Sequence, residues 1–146
     1  MSFLSTRVHF IWSTAQREPQ IDPAWQQQLY AFIVGLYEHR KSKVFAIGGV
    51  SDHLHIYASL PATLSIAELA NAIKSNSSGW VHDEYTRVFG WQKGYAAFTM
   101  SKSADDDVCA YIRGQAEHHR KRTFKEELLA FLGKYEVPYD PRYVFE

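Results

Sequence analysis

Apolar and β-branched residues dominate Thr6 to Ser13, with Val8, Phe10 and Trp12 on one face at period two, and this pattern predicts a first strand over 6–13. The period then changes. Trp25, Leu29, Phe32, Ile33 and Leu36 recur at helical spacing, and Asp22 as N-cap with Pro23 at the first helical position predicts where that helix begins. Lys43 to Val50 and His53 to Leu60 read as two strands joined in a hairpin, with the turn signal near Gly48-Gly49. Ser65-Ile66-Ala67-Glu68 has capping-box spacing, and the stripe Ile66, Leu69, Ala70, Ile73 predicts a second helix from about Ser65 toward Trp80 or beyond. Gly94 to Ser101 reads as a fourth strand. Ser103, Asp105 and Asp106 supply N-cap chemistry for a third helix to about Arg122, and Phe124 to Lys134 is a short fourth with Gly133 near its end.

The order strand, helix, strand, strand, helix, strand, then helices resembles the split βαβ plan. It predicts an α+β, ferredoxin-like (RRM-like) fold: a four-stranded antiparallel sheet with helices on one face, plus C-terminal helices. No repeat or Gly/Ser/Pro-rich linker divides the 146 residues, so one domain over 1–146 is expected. No run approaches the length of a membrane helix and no secretory pattern opens the chain, which predicts a cytoplasmic protein without membrane contact. Cys109, the single cysteine, has no disulfide partner and reads as a small buried apolar residue. Sixteen basic residues balance sixteen acidic ones, so no net field advertises a nucleic-acid partner. Distribution adds something: His118 to Lys125 carries four formal positive charges and no acid, although taken alone such a run is better explained as a solvated helix end.

Chemistry concentrates in Asp52-His53-Leu54-His55-Ile56. On a strand, His53 and His55 share one face while Leu54 and Ile56 point into the core, so two imidazoles can converge on one metal ion if a third group approaches. An isolated pair of this kind is more often two polar residues on a solvated face. A third group is offered by the third helix, where Tyr111 and Gln115 are four residues apart and share a face. A carboxamide oxygen is a hard ligand suited to Mg²⁺ or Mn²⁺, and a phenol can attack a phosphodiester that a divalent ion polarises. Tyr111 in a core stripe and Gln115 on the surface remain the alternative from spacing alone.

Several ordered segments together resemble the single-tyrosine transposases of the smallest insertion sequences, IS200-like members of the HUH (His-hydrophobic-His) nuclease group that include the REP-associated tyrosine transposases. The segments are Asp52-His53-Leu54-His55 with Ser59-Leu60-Pro61, Ile73-Lys74 with Ser77-Ser78, and Trp91-Gln92-Lys93-Gly94-Tyr95-Ala96-Ala97-Phe98. Tyr111-Ile112, Gln115, Glu117-His118-His119-Arg120 and the ending Tyr139-Asp140-Pro141-Arg142-Tyr143 complete them.

The resemblance implies an enzyme that cuts and rejoins single-stranded DNA at hairpin-bearing ends. By that carry-over Tyr111 is the nucleophile of a 5′-phosphotyrosine intermediate, and His53, His55 and Gln115 are the ligands of Mg²⁺ or Mn²⁺. It also implies a homodimer in which the Tyr111 helix often completes the partner's site. Many relatives have Asn where Gly114 stands, which opens a question about the geometry at Gln115. Lys74, Arg113, Arg120, Lys121 and Arg122 are candidate phosphate contacts, and Trp80, Trp91 or Tyr95 could stack on bases, though core packing suits those aromatics better. His9 is expected to face solvent, and His118 and His119 could carry protons. A domesticated hairpin nuclease and a non-catalytic RRM-like binding module are the alternative readings. The module would be expected to carry an RNP1-like run, which is absent.

Overall fold

The computed structural model describes residues 1–146. Four strands, β1 (Val8–Ser13), β2 (Val44–Val50), β3 (His53–Ala58) and β4 (Ala96–Thr99), pair antiparallel throughout in the order β2-β3-β1-β4. The helices are α1 (Gln26–His39), α2 (Ile66–Glu84), α3 (Asp105–Arg113), α4 (Gln115–His118) and α5 (Phe124–Lys134). This is the ferredoxin-like plan expected from the chain.

Alternation sorts the sheet into two faces. Val8, Phe10 and Trp12 of β1 and Leu54, Ile56 and Ala58 of β3 pack against Leu29, Ile33 and Tyr37 of α1 and Leu69, Ile73 and Val81 of α2, forming the main core. Fully burying one such apolar side chain is worth roughly 1.5–3 kcal/mol. The register of β1 and β3 is therefore strongly fixed. A slip of one residue would drive His9, His53 and His55 into this core.

The C-terminal helices cover the opposite face. Ile11 and Phe98 meet Phe124, Leu128 and Leu132 of α5, while Ala46 and Tyr57 meet Ile112 of α3. Asp105, at the start of α3, is pinned to the sheet by the Arg7 guanidinium at 3.1 Å and by the Tyr57 hydroxyl, which donates to it at 2.6 Å.

Three local expectations are corrected. Asp22 does cap a turn, accepting the Ala24 amide at 2.8 Å, but regular helix begins only at Gln26. The hairpin turns at Ser51-Asp52, in the two-residue gap expected between the strand runs, but the glycines expected to mark it, Gly48 and Gly49, lie within β2. The third helix ends at Arg113, with Gly114 breaking it from α4. A Cβ on Gly48 would lie 2.4 Å from the Ile112 carbonyl oxygen, so the glycine is needed for the backbone of α3 to lie against β2.

Candidate active site

β3 presents His53 and His55 on the face away from the main core, and both are fully buried beneath the C-terminal helices. Each ring has a partner on its far side. His53 Nδ1 lies 2.7 Å from Asp52 Oδ1, and His55 Nδ1 lies 2.8 Å from His9 Nε2. The carboxylate accepts from Nδ1 of His53 and turns its Nε2 toward the interior of the cluster. His9 thus faces the cluster and not solvent: it shares the face of His55 by register and is 1% exposed. Burial and the neighbouring His55 hold it well below the ordinary imidazole range.

α3 and α4 bring the two other expected residues. Gln115 is buried and points its Oε1 at His53 Nε2, 3.0 Å away. Tyr111 stands one turn earlier, its ring 5.8 Å from that of His55 between centroids and 4.5 Å from the stacked ring of His118. The break at Gly114 does not separate them, because the backbone there (φ −90°, ψ 15°) adds only a local tightening and the Gly114 amide still reaches the carbonyls of Ala110 and Tyr111. Gly48 pairs with His55 in register, so the missing side chain beside that histidine is what admits this part of the chain.

Glu127 of α5 was not anticipated. Its Oε1 lies 2.9 Å from His55 Nε2, 3.1 Å from His119 Nε2 and 3.5 Å from His53 Nε2. Its Oε2 accepts the hydroxyl of Tyr111. Arg122 Nη2 donates to the same hydroxyl at 3.2 Å. A signal existed in the chain: Glu127 falls three residues after Phe124 and four before Phe131, an acid on the apolar side of a helix. His119 was noted only as a proton carrier, yet its Nε2 is buried without an aligned hydrogen-bond partner.

The electrostatics follow from this packing. Burial opposes charge on His53, but bonds to Asp52 and Glu127 outweigh it and raise the ring to about 9. Burial prevails at His55 and lowers it to about 4. Burial would also raise the carboxyl of Glu127, but contacts with His119, His53 and His55 prevail and hold it ionised, far below the usual range. Tyr111 is pushed up to about 12 by burial and by Glu127, so its phenol keeps its proton at rest. His53, His55, His119 and Glu127 have ligand atoms all within 4.8 Å of one another, a donor set able to hold a divalent metal.

Two clefts flank the cluster. One, of about 400 Å³, lies between α3 and α5 and is lined by His9, Val108, Tyr111, Arg122, Phe131 and Lys134 among others. The second, of about 390 Å³, includes Asp52, His119, Arg120, Arg122 and Phe124. Arg120 and Arg122 are thus at the site, whereas Arg113 and Lys121 are exposed nearby without lining either cleft. Lys74 is elsewhere. It is 8% exposed on α2, donates to the carbonyls of Lys93 and Gly94 at 3.0 and 2.7 Å, and is lowered to about 8 by burial. Trp80 stacks on Phe32, and Trp91 donates to Ser77, so both are engaged in packing.

A tyrosine set over two strand histidines on a ferredoxin-like sheet belongs with the transposases in fold. A crystal structure of a proposed transposase from Deinococcus radiodurans R1 superposes with a TM-score of 0.64 at 16% identity, covering 77% of this chain and 92% of that one. A REP-associated tyrosine transposase bound to a REP hairpin gives 0.57 at 18% identity, covering 77% and 70%. No curated protein matches the chain. The family model "Transposase IS200 like" matches residues 2–115. The chain belongs to the IS200-like transposase family, enzymes that cut DNA and transfer its strands.

Proposed function

We propose that this transposase acts on single-stranded DNA at hairpin-bearing ends, with Tyr111 as nucleophile and with His53, His55 and Gln115 holding Mg²⁺ or Mn²⁺ at the scissile phosphate. The observation that carries the reading is the meeting, within one chain, of the Tyr111 phenol, the paired histidines of β3 and the Gln115 oxygen. Hairpin DNA as substrate is supported by the relative of like fold that is described bound to a REP hairpin.

The phenol oxygen of Tyr111 attacks phosphorus, the bond from phosphorus to the 3′ oxygen breaks, and the proton given up by the phenol is balanced by the one the departing oxygen takes as a 3′-hydroxyl. A 5′-phosphotyrosine results. A later 3′-hydroxyl reverses the exchange at another end and frees Tyr111. One phosphodiester replaces another, so no ATP is required. A divalent ion in the site would neutralise charge on the phosphate oxygens. Arg122 holds the phenol in place and faces both clefts, where Arg120 and Lys134 add positive charge for the strand on either side. Tyr111 contacts the cluster of its own chain.

The test is incubation with labelled hairpin-bearing single-stranded DNA and Mg²⁺ or Mn²⁺, read on a denaturing gel. A protein-DNA adduct is expected, lost with chelator and lost in Tyr111→Phe while hairpin binding persists. Adduct in Tyr111→Phe would move the nucleophile elsewhere. Binding without adduct in the unaltered chain would favour the non-catalytic module.

A further inference from the structure

The geometry points to Glu127 and His119 as additional ligands of the divalent ion, making a site of three imidazoles, one carboxylate and the Gln115 oxygen that takes Mn²⁺ in preference to Mg²⁺. The inference rests on the reading of His53, His55 and Gln115 as the ion's holders, and extends it to residues beyond the family-matched segment, which ends at Gln115.

Donor spacing is the first support. Ligands at roughly 2.0–2.2 Å from a common ion are about 3.0 Å apart at an octahedral edge and about 3.5 Å apart at a tetrahedral one. Glu127 Oε1 stands 2.9, 3.1 and 3.5 Å from the Nε2 atoms of His55, His119 and His53, and Gln115 Oε1 stands 3.0 Å from His53 Nε2. Distances of this size match the edges of a coordination polyhedron.

The second support is the state of the nitrogens. His119 Nε2 is buried with no aligned hydrogen-bond partner, a lone donor atom aimed into the cluster. His53 and His55 are each held at Nδ1, by Asp52 and by His9, which orients Nε2 toward the same point. Structural ion pairing alone would leave three imidazoles competing for one carboxylate oxygen.

Ligand chemistry then sets preference. Imidazole nitrogens favour first-row transition ions, of which Mn²⁺ is the weakest binder and also accepts the oxygens of Glu127 and Gln115, while Mg²⁺ favours an all-oxygen shell and keeps several waters. Three nitrogens in a dry pocket disfavour Mg²⁺, and the charge of Glu127 offsets part of the desolvation of a divalent ion. Because Glu127 stands on α5 and the histidine pair on β3, the ion also ties that helix to the sheet.

The experiment is Mn²⁺ titration of the full chain without DNA, followed by electron paramagnetic resonance in a large excess of Mg²⁺, with thermal melting to report folding. The unaltered chain is expected to bind one Mn²⁺ that Mg²⁺ does not displace. Glu127→Gln, close in shape, and His119→Ala are each expected to weaken Mn²⁺ binding about 10- to 100-fold and to lose the rise in melting temperature that Mn²⁺ gives. Glu38→Gln, exposed on α1 across the sheet, is expected to bind as before, and a readout without DNA keeps loss of the ion separate from loss of the nucleophile. Equal Mn²⁺ affinity in folded Glu127→Gln and His119→Ala would overturn the assignment while leaving His53, His55 and Gln115 untouched. Displacement of Mn²⁺ by Mg²⁺ in the unaltered chain would overturn the preference, and no ion binding at all would overturn both this inference and the ion in the proposed function.

Discussion

Single residues in this protein act chiefly by what they allow to approach. Gly48 illustrates it: its backbone conformation is ordinary, yet a methyl group there would strike the Ile112 carbonyl carbon and oxygen at 3.2 and 2.4 Å. The obstacle is main chain and cannot rotate away, so Gly48→Ala must push α3 off β2. We expect a loss of about 1–3 kcal/mol in denaturant unfolding and a fall in adduct formation that exceeds any loss of hairpin binding. Unchanged stability would mean that α3 is not held where it lies. The same position shows how sequence reading can misplace a signal. Two adjacent glycines suggest a turn, and nothing local reveals that a helix sixty residues later needs the space.

At the scale of elements, the strands and α2 were legible because their patterns are local. Alternation in β1 and β3 and the Ser65–Glu68 capping box, with both bonds formed, need no distant partner. The break between α3 and α4 was not, since Gly114 is tolerated in helices and only packing decides whether one continues through it. The start of α3 has its own signature in acid. Asp105 is held below the usual carboxylate range by the Tyr57 hydroxyl and the Arg7 guanidinium. A depressed folded value contributes stability that is present above the unfolded value of about 3.9 and is lost as pH falls through the folded one. Unfolding midpoints of the unaltered chain and Asp105→Asn should therefore differ by a constant amount above about pH 5 and converge below about pH 4. A gap independent of pH would assign the contact to hydrogen bonding without charge.

Over the whole molecule, charge cancels, and no helix is long and apolar enough to cross a membrane. Attraction for a polyanion is then local to Arg120, Arg122 and Lys134, and few phosphates should be neutralised. For single-stranded DNA each neutralised phosphate contributes about −0.7 to the slope of log affinity against log salt. Arg122→Gln is expected to flatten that slope by about 0.7, as measured by fluorescence anisotropy between low and moderate salt. An unchanged slope would remove Arg122 from the strand's path. Spacing together with family likeness marks Tyr111, Gln115 and the histidine pair as candidates. Glu127 carries a fainter signal, an acid on an apolar helix face, because the groups it meets are distant in sequence.

The sheet face bearing His9, Ile11, His53 and His55 is made early in the chain, and every helix that covers it follows in sequence. During synthesis that face therefore stays incompletely covered until α5 leaves the ribosome. At about 5–20 residues per second that interval lasts seconds. A nascent chain carries the histidines and the tyrosine without the carboxylate of Glu127 that they surround, so the cluster closes only when the last helix arrives.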